Sequence, residues 1–76
     1  MPHRDAIWKQ ILAGKRSWRA AEFEGDPDVF FAHVVAPLRK LRDARWIESL
    51  HEIRVTPEGR GYIGLIEIVG AIHLDR

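Results

Sequence analysis

Cysteine is absent from this chain of 76 residues. Neither disulfides nor thiolate metal sites can therefore form, and packing alone, or packing with self-association, must hold the fold. A chain this short buries only about 60% of its unfolded surface, and below roughly 70–80 residues a single core is often marginal. We expect one domain over residues 1–76 and a homodimer.

A strong excess of charge of either sign is also missing. The 12 Lys and Arg residues nearly balance the 11 Asp and Glu residues, for a formal net charge of +1. A domain that binds nucleic acid by electrostatics usually carries a clear basic excess. Any basic surface on this protein must therefore be local.

Long apolar runs are missing as well. The longest apolar stretch, around Tyr62 to Leu74, is interrupted by Glu67. It is far too short to span a bilayer. The opening residues, MPHRDAIWKQIL, carry charge through their first apolar stretch, unlike a signal peptide. These features predict a cytoplasmic protein with no membrane partner.

Recognisable catalytic and metal-binding motifs are not found. The histidines are scattered, without the spacing of a zinc motif, at positions 3, 33, 51 and 73. No nucleophile elbow, P-loop or dinucleotide glycine pattern occurs. Among the few hydroxyl groups, Ser17 and Thr56 already suit helix caps. We expect no enzyme activity, no cofactor and no metal.

The first part of the chain shows mainly helical patterns. Apolar residues recur at three- and four-residue spacing in Asp5–Ala13, which predicts a first helix that Gly14 ends. Ser17 is placed as the N-cap of a second, short helix over Trp18–Phe23. Four carboxylates surround the turn that follows this segment and favour the start of a further helix: Glu22, Glu24, Asp26 and Asp28.

A third helix is predicted from Pro27 to about Ala44. Pro27 suits the first helical turn, and the apolar spacing continues to Leu41. Pro37 lies inside this pattern, where it removes a backbone hydrogen bond. We therefore expect either a kink near His33 to Ala36 or a restart of the helix at Pro37.

The last third of the chain permits two interpretations. In the first, short strands at Trp46–Ser49 and Ile53–Thr56 form a hairpin, and Pro57–Leu74 is a helix capped by Thr56. The tail contains several glycines, which are unfavourable inside a helix, and several isoleucines, which favour strands. In the rival interpretation, His51–Val55 pairs with Tyr62–Val69 across a loop at TPEGRG.

The first interpretation resembles a known family. LRKLRDARWIES is similar to the end of a recognition helix, L-x-x-L-x-x-x-G-x-I, and RVTPEGR is similar to the L-T-P-E-G-R after the wing in PadR- and MarR-like bacterial regulators. The resemblance implies a small α+β winged helix-turn-helix domain with three helices, a short β-wing and a C-terminal apolar helix or strand. Arg45 departs from the pattern because the family usually has glycine there, which ends the helix in a left-handed conformation.

The resemblance further implies DNA binding of the transcription-regulator type by a dimer. Residues expected to contact DNA phosphates are Arg16, Arg19, Arg39, Lys40, Arg42 and Arg54. Among the groove-facing positions only His33 could hydrogen-bond a base, and the four carboxylates near the turn would repel phosphates.

The alternative function is protein interaction without DNA binding. Its contact surface would be the apolar tail or the segment Val35-Ala36-Pro37. If the tail is a helix, Ile63, Ile68 and Ile72 are left over on faces that the domain cannot bury. Such exposed apolar groups commonly mark interfaces. These three residues are therefore the candidates for a dimer interface.

Overall fold

A computed structural model of the chain describes residues 2–55 and 61–74, with side chains from residue 3 onward. The elements in chain order are α1 (Pro2–Leu12), β1 (Ser17–Arg19), a 3-10 helix (Ala20–Phe23), α2 in three consecutive segments (Pro27–Phe30, Phe31–Val35 and Ala36–Asp43), β2 (Ile47–Val55) and β3 (Tyr62–Ile72). The three strands form one antiparallel sheet in the order β1-β3-β2.

The predicted winged helix-turn-helix fold with three helices is wrong. The described residues form an α+β fold with two helices and a three-stranded antiparallel sheet. The predicted second helix is absent because Ser17–Arg19 is a strand and only a short 3-10 turn follows it. The two-strand wing is also absent, because its first strand, turn and most of its second strand are one continuous β2.

β1 forms where the sequence predicted a capped helix. Ser17 and Arg19 are exposed while Trp18 between them is buried, which is the alternation of a half-buried strand. Trp18 lies opposite Ile66 of β3, and its indole N–H donates to Gln10 Oε1 of α1 at 2.6 Å. A partner so distant in sequence cannot be seen in a local pattern.

The predicted third helix is confirmed as α2. Asp26 caps its start, accepting the backbone N–H groups of Asp28 and Val29 at 3.0 and 3.2 Å. Phe31–Val35 has a π-helical pattern in which the Ala36 N–H donates to the Phe31 carbonyl, while the flanking backbone stays right-handed. Pro37 has no N–H to offer one turn back, so the wider turn before it accommodates the proline without a break.

α2 ends in a Schellman motif built on Arg45. The Trp46 N–H donates to the Leu41 carbonyl at 2.9 Å, closing the last turn. Arg45 has a φ of 65°, the left-handed conformation for which glycine is the favoured residue. The helix therefore ends in the left-handed geometry that usually carries glycine, and an arginine occupies a position where its Cβ is sterically disfavoured.

The rival hairpin interpretation of the tail is the one that the structure confirms. β2 pairs with β3 from Ile47 opposite Ile72 to Val55 opposite Tyr62. A C-terminal helix is thus wrong over the described residues, since Tyr62–Ile72 is a strand. The predicted helix start at 56–58 and most of the predicted loop lie outside the described residues.

Two irregularities in this pairing involve glycine. Gly64 is skipped between two paired positions, and its open α-carbon leaves room for Val55, which a Cβ there would approach to 2.3 Å. Gly70 has a φ of 82° and lies against the carboxylate of Glu48, which accepts the Ala71 N–H at 2.9 Å. Both glycines therefore have a strand role, as expected for β-bulges and close backbone approach.

The core lies between the two helices and one face of the sheet. Its fully buried larger side chains come from α1, β1, α2, β2 and β3: Ile11, Trp18, Phe30, Val34, Val35, Leu38, Leu41, Ile47 and Ile66. Trp8 and Trp46 pack edge to face with ring centroids 4.9 Å apart at its border. Within residues 2–55 and 61–74, neither helix has the length and apolar content needed to cross a membrane.

Candidate functional site

The sheet has a covered face and an open face. The row Trp18–Ile66–Glu52 crosses all three strands and faces the helices, since Trp18 and Ile66 are buried and Glu52 bonds to Arg39 of α2. Adjacent rows point the opposite way because strand side chains alternate. No described residue covers these rows, which we call the outer face.

The outer face carries apolar side chains beside a small polar row. One row runs Arg19–Leu65–Ile53 and the next runs Ser17–Glu67–His51. The exposed large apolar residues of the hairpin are Ile53 (37%), Val55 (44%) and Val69 (48%). Clusters of exposed apolar side chains commonly mark interaction surfaces.

β2 also forms an edge of the sheet. It has nine residues, and among the described residues it pairs only with β3. The Ile68 N–H donates to the Arg16 carbonyl on the β1 side at 2.8 Å, so the alternation turns Glu67 toward β2 and its partner His51 toward β3. Leu50 and Glu52 therefore present their backbone N–H and C=O groups at the open edge.

An ion pair fixes this edge strand to α2. Arg39 Nε and Nη2 donate to the two carboxylate oxygens of Glu52, each at 2.7 Å. This hydrogen bonding lowers the pKa of Glu52 against the opposing effect of partial burial, and it raises the pKa of Arg39. The Arg39 guanidinium also lies 5.3 Å from the centre of the Phe31 ring.

A further pair lies on the outer face, near the middle of β2. His51 Nδ1 is 3.2 Å from Glu67 Oε1, and the two residues are directly opposite in the sheet.

Glu48, nearer the start of β2, accepts a hydrogen bond from the Ala71 N–H. Towards the other end of the strand lies the exposed Arg54. The open edge of β2 therefore carries an acidic side chain near its start and a basic side chain near its end.

The residues predicted to contact DNA phosphates are not gathered on one surface. Arg16 donates to the Ile11 and Lys15 carbonyls between α1 and β1, and Arg19 lies on the outer face. Arg39 and Arg54 line a groove between α2 and the hairpin, where Arg39 is paired with Glu52.

The remaining cationic candidates lie elsewhere on α2. Lys40 borders an apolar groove of about 330 Å³ that also includes His3, Arg4 and Phe31. Arg42 lies 3.3 Å from Asp43 Oδ1, in a depression shared with Arg45. The six candidate cations thus divide among separate parts of the surface.

His33, the predicted base-facing residue, stacks on another histidine. Its ring lies 4.2 Å from that of His3 and 5.9 Å from that of Phe23, measured between centroids. Among the described residues, no group of three or more His, Cys, Asp or Glu side chains is placed to hold a metal ion.

The acidic residues before α2 act in local structure. Asp26 is the N-cap, and Glu22 accepts hydrogen bonds from the Arg19 backbone N–H and the Lys15 ammonium group. Partial burial acts to raise the pKa of Glu22, but these two hydrogen bonds and the positive charges of Lys15 and Arg19 together outweigh it and lower the pKa. Glu24 has a φ of 58° at the end of the 3-10 helix.

The predicted interface residues are largely occupied within the chain itself. Ile63 belongs to the core, and Ile68 and Ile72 pack against it. Their selection rested on a tail helix, and in the strand their side chains point toward the helices. The other predicted contact segment is similarly covered, since Val35 and Pro37 are buried and Ala36 is half-buried.

Sequence reasoning missed the residues that the hairpin exposes. Ile53, Val55 and Leu65 lie on the outer face, while Glu48 and Glu52 lie along the edge strand. A signal was present in EIRV, residues 52–55, where charged and apolar residues alternate as in a strand with two different faces. The chain matches no protein-family model, no curated protein and no solved structure.

Proposed function

We propose that this protein is a protein-interaction module that acts by binding rather than by catalysis, and that it works as a homodimer. The observation that carries the proposal is β2, a nine-residue edge strand with Ile53 and Val55 exposed on it. A long edge with apolar side chains is a template for pairing with another chain. Nothing among the described residues covers it.

A second copy is the occupant that the chain itself favours. A lone core in a chain of this size is often marginal, and the absence of cysteine leaves self-association as the available reinforcement. Association through β2 would shield apolar side chains that the two helices leave exposed. The same hairpin surface would then define the geometry in which the dimer presents its remaining surfaces.

Duplex DNA binding draws less support from the geometry. Arg39 and Arg42 are paired with carboxylates, and the other candidate cations lie in separate places. Three carboxylates also line a depression next to the start of α2, which supports repulsion of phosphates there. A protein that binds random duplex with a steep salt dependence would contradict our proposal.

Sedimentation equilibrium over a wide range of protein concentration tests the proposal. We expect the mass to rise from that of one chain to that of two. Ile53→Gln should weaken the dimer by roughly tenfold, equivalent to about 1.4 kcal/mol of lost apolar contact.

Val29→Gln is the matched control because Val29 and Ile53 are both 37% exposed, and Val29 lies on α2 away from β2. It should leave the mass profile unchanged. A wild-type chain that remains a monomer at every concentration would overturn the proposed function.

A further inference from the structure

The open edge of β2 offers a defined set of backbone groups. Leu50 and Glu52 direct their N–H and C=O groups away from β3, and the alternation extends this to Arg54. Two copies of an antiparallel edge can exchange hydrogen bonds only if these outward-facing residues lie opposite one another. This condition leaves few registers for a symmetric pair.

We infer that β2 pairs antiparallel with β2 of a second copy, with His51 on the two-fold axis opposite the partner's His51. This inference rests on the proposed homodimer and specifies its interface. In a two-fold interface each contact occurs twice. The two three-stranded sheets become one six-stranded sheet, and the axis runs perpendicular to it, so all helices lie on one side.

Charge complementarity selects this register. It places Glu48 opposite the partner's Arg54 at both ends of the pair, and it places Leu50 opposite the partner's Glu52. Opposite charges directly across two strands stabilise the pairing, while like charges there are destabilising. Ser49 lies opposite the partner's Ile53 on the outer face, where the apolar side chain gains a neighbour.

The two neighbouring registers that also align outward-facing residues bring like charges together. With Leu50 on the axis, Glu48 lies opposite the partner's Glu52. With Glu52 on the axis, two carboxylates lie directly opposite one another, although each is already bonded to its own Arg39. Of the registers that pair seven or more of the nine residues of β2, only the one centred on His51 places every charged side chain of the edge opposite an opposite charge or an apolar group.

Charge exchange tests this register and separates it from the proposed function. Glu48→Lys places cations opposite each other in its homodimer, and Arg54→Glu does the same with anions, so each variant alone should dimerise at least threefold more weakly than the wild type. An equimolar mixture should form a heterodimer with both pairs restored, and its affinity should approach that of the wild type. The double variant should also recover as a homodimer.

Loss of folding cannot imitate this result, because mixing two chains repairs neither of them individually. Thermal unfolding of each variant, at protein concentrations below those at which it dimerises, provides the stability control. This control matters for Glu48 because its carboxylate also accepts the Ala71 N–H. A wild type that dimerises while the mixture recovers nothing overturns the register and leaves the proposed function standing. A wild type that never dimerises overturns both.

Discussion

Arg39 of α2 and Glu52 of β2 form a two-point ion pair, with both nitrogen–oxygen distances at 2.7 Å. The pair connects the long helix to the edge strand β2 near the middle of that strand's length. Because the guanidinium binds both carboxylate oxygens, it fixes the direction of the Glu52 side chain toward the helices. The backbone of Glu52 stays available at the open edge.

Glu52→Gln should reduce the free energy of unfolding at neutral pH by about 1 kcal/mol, since one side of a charge-assisted pair is lost. Hydrogen bonding from Arg39 lowers the pKa of Glu52 in the folded state. The contribution is therefore fully present above the unfolded value of about 4.3 and is lost as the pH falls through the folded pKa. Urea unfolding of both proteins between neutral and acidic pH should show the difference shrinking on acidification.

The double variant Arg39→Gln with Glu52→Gln completes this thermodynamic cycle. If the two single substitutions add, the contact contributes nothing of its own and the importance assigned to the pair is wrong. A coupling that disappears at low pH supports it.

Arg45→Gly should stabilise the protein by about 1 kcal/mol. Arg45 has a φ of 65°, and a side chain in that conformation costs roughly 1–2 kcal/mol, part of which glycine returns through its greater freedom when unfolded. Thermal unfolding of Arg45→Gly and Arg45→Ala provides the comparison, because both variants lose the guanidinium and only glycine removes the strain. Equal stability of the two variants would contradict the left-handed helix end.

Gly70→Ala should destabilise the protein by about 1–2 kcal/mol for the same conformational reason, and here a contact adds to the cost. A Cβ at this glycine would lie 2.5 Å from Glu48 Oε1, which could move only by giving up its bond to Ala71. Combining Gly70→Ala with Glu48→Ala separates the two effects in denaturant unfolding. The contact part of the cost should be absent in the double variant, while the part due to φ remains.

Local signals predicted the first two-thirds of the chain better than the last. Pro27 and its Asp26 cap established the start of α2. The apolar spacing correctly placed Phe30, Val34, Leu38 and Leu41 on its buried face, but it also placed Phe31 there, which is 44% exposed. Both features depend on residues within one or two turns. β1 was misassigned because its strand state depends on pairing with β3, a contact that no neighbouring residue indicates.

The tail shows the same limit in a different form. Tyr62, Leu65, Ile66 and Val69 satisfy a helical spacing, and yet they belong to a strand. The informative residues were Gly64 and Gly70. Glycine is unfavourable inside a helix, whereas in this hairpin both glycines lie at irregularities of the strand pairing. The predicted dimer interface was wrong for the same reason. A tail helix would expose Ile63, whereas the strand buries Ile63 and the hairpin exposes Ile53 and Val55.

Disulfide formation by His51→Cys is the most direct measurement of the central claim, because the natural chain contains no cysteine. In the register that we infer, the two cysteines face each other across the axis with Cα atoms about 4.5 Å apart, within disulfide range. Ser49→Cys is the control, since its two copies would lie roughly 13 Å apart along the strands. We predict rapid and nearly complete crosslinking of His51→Cys dimers under mild oxidation and little crosslinking of Ser49→Cys. Equal crosslinking of the two variants, or none in either while the protein is dimeric, would contradict the account.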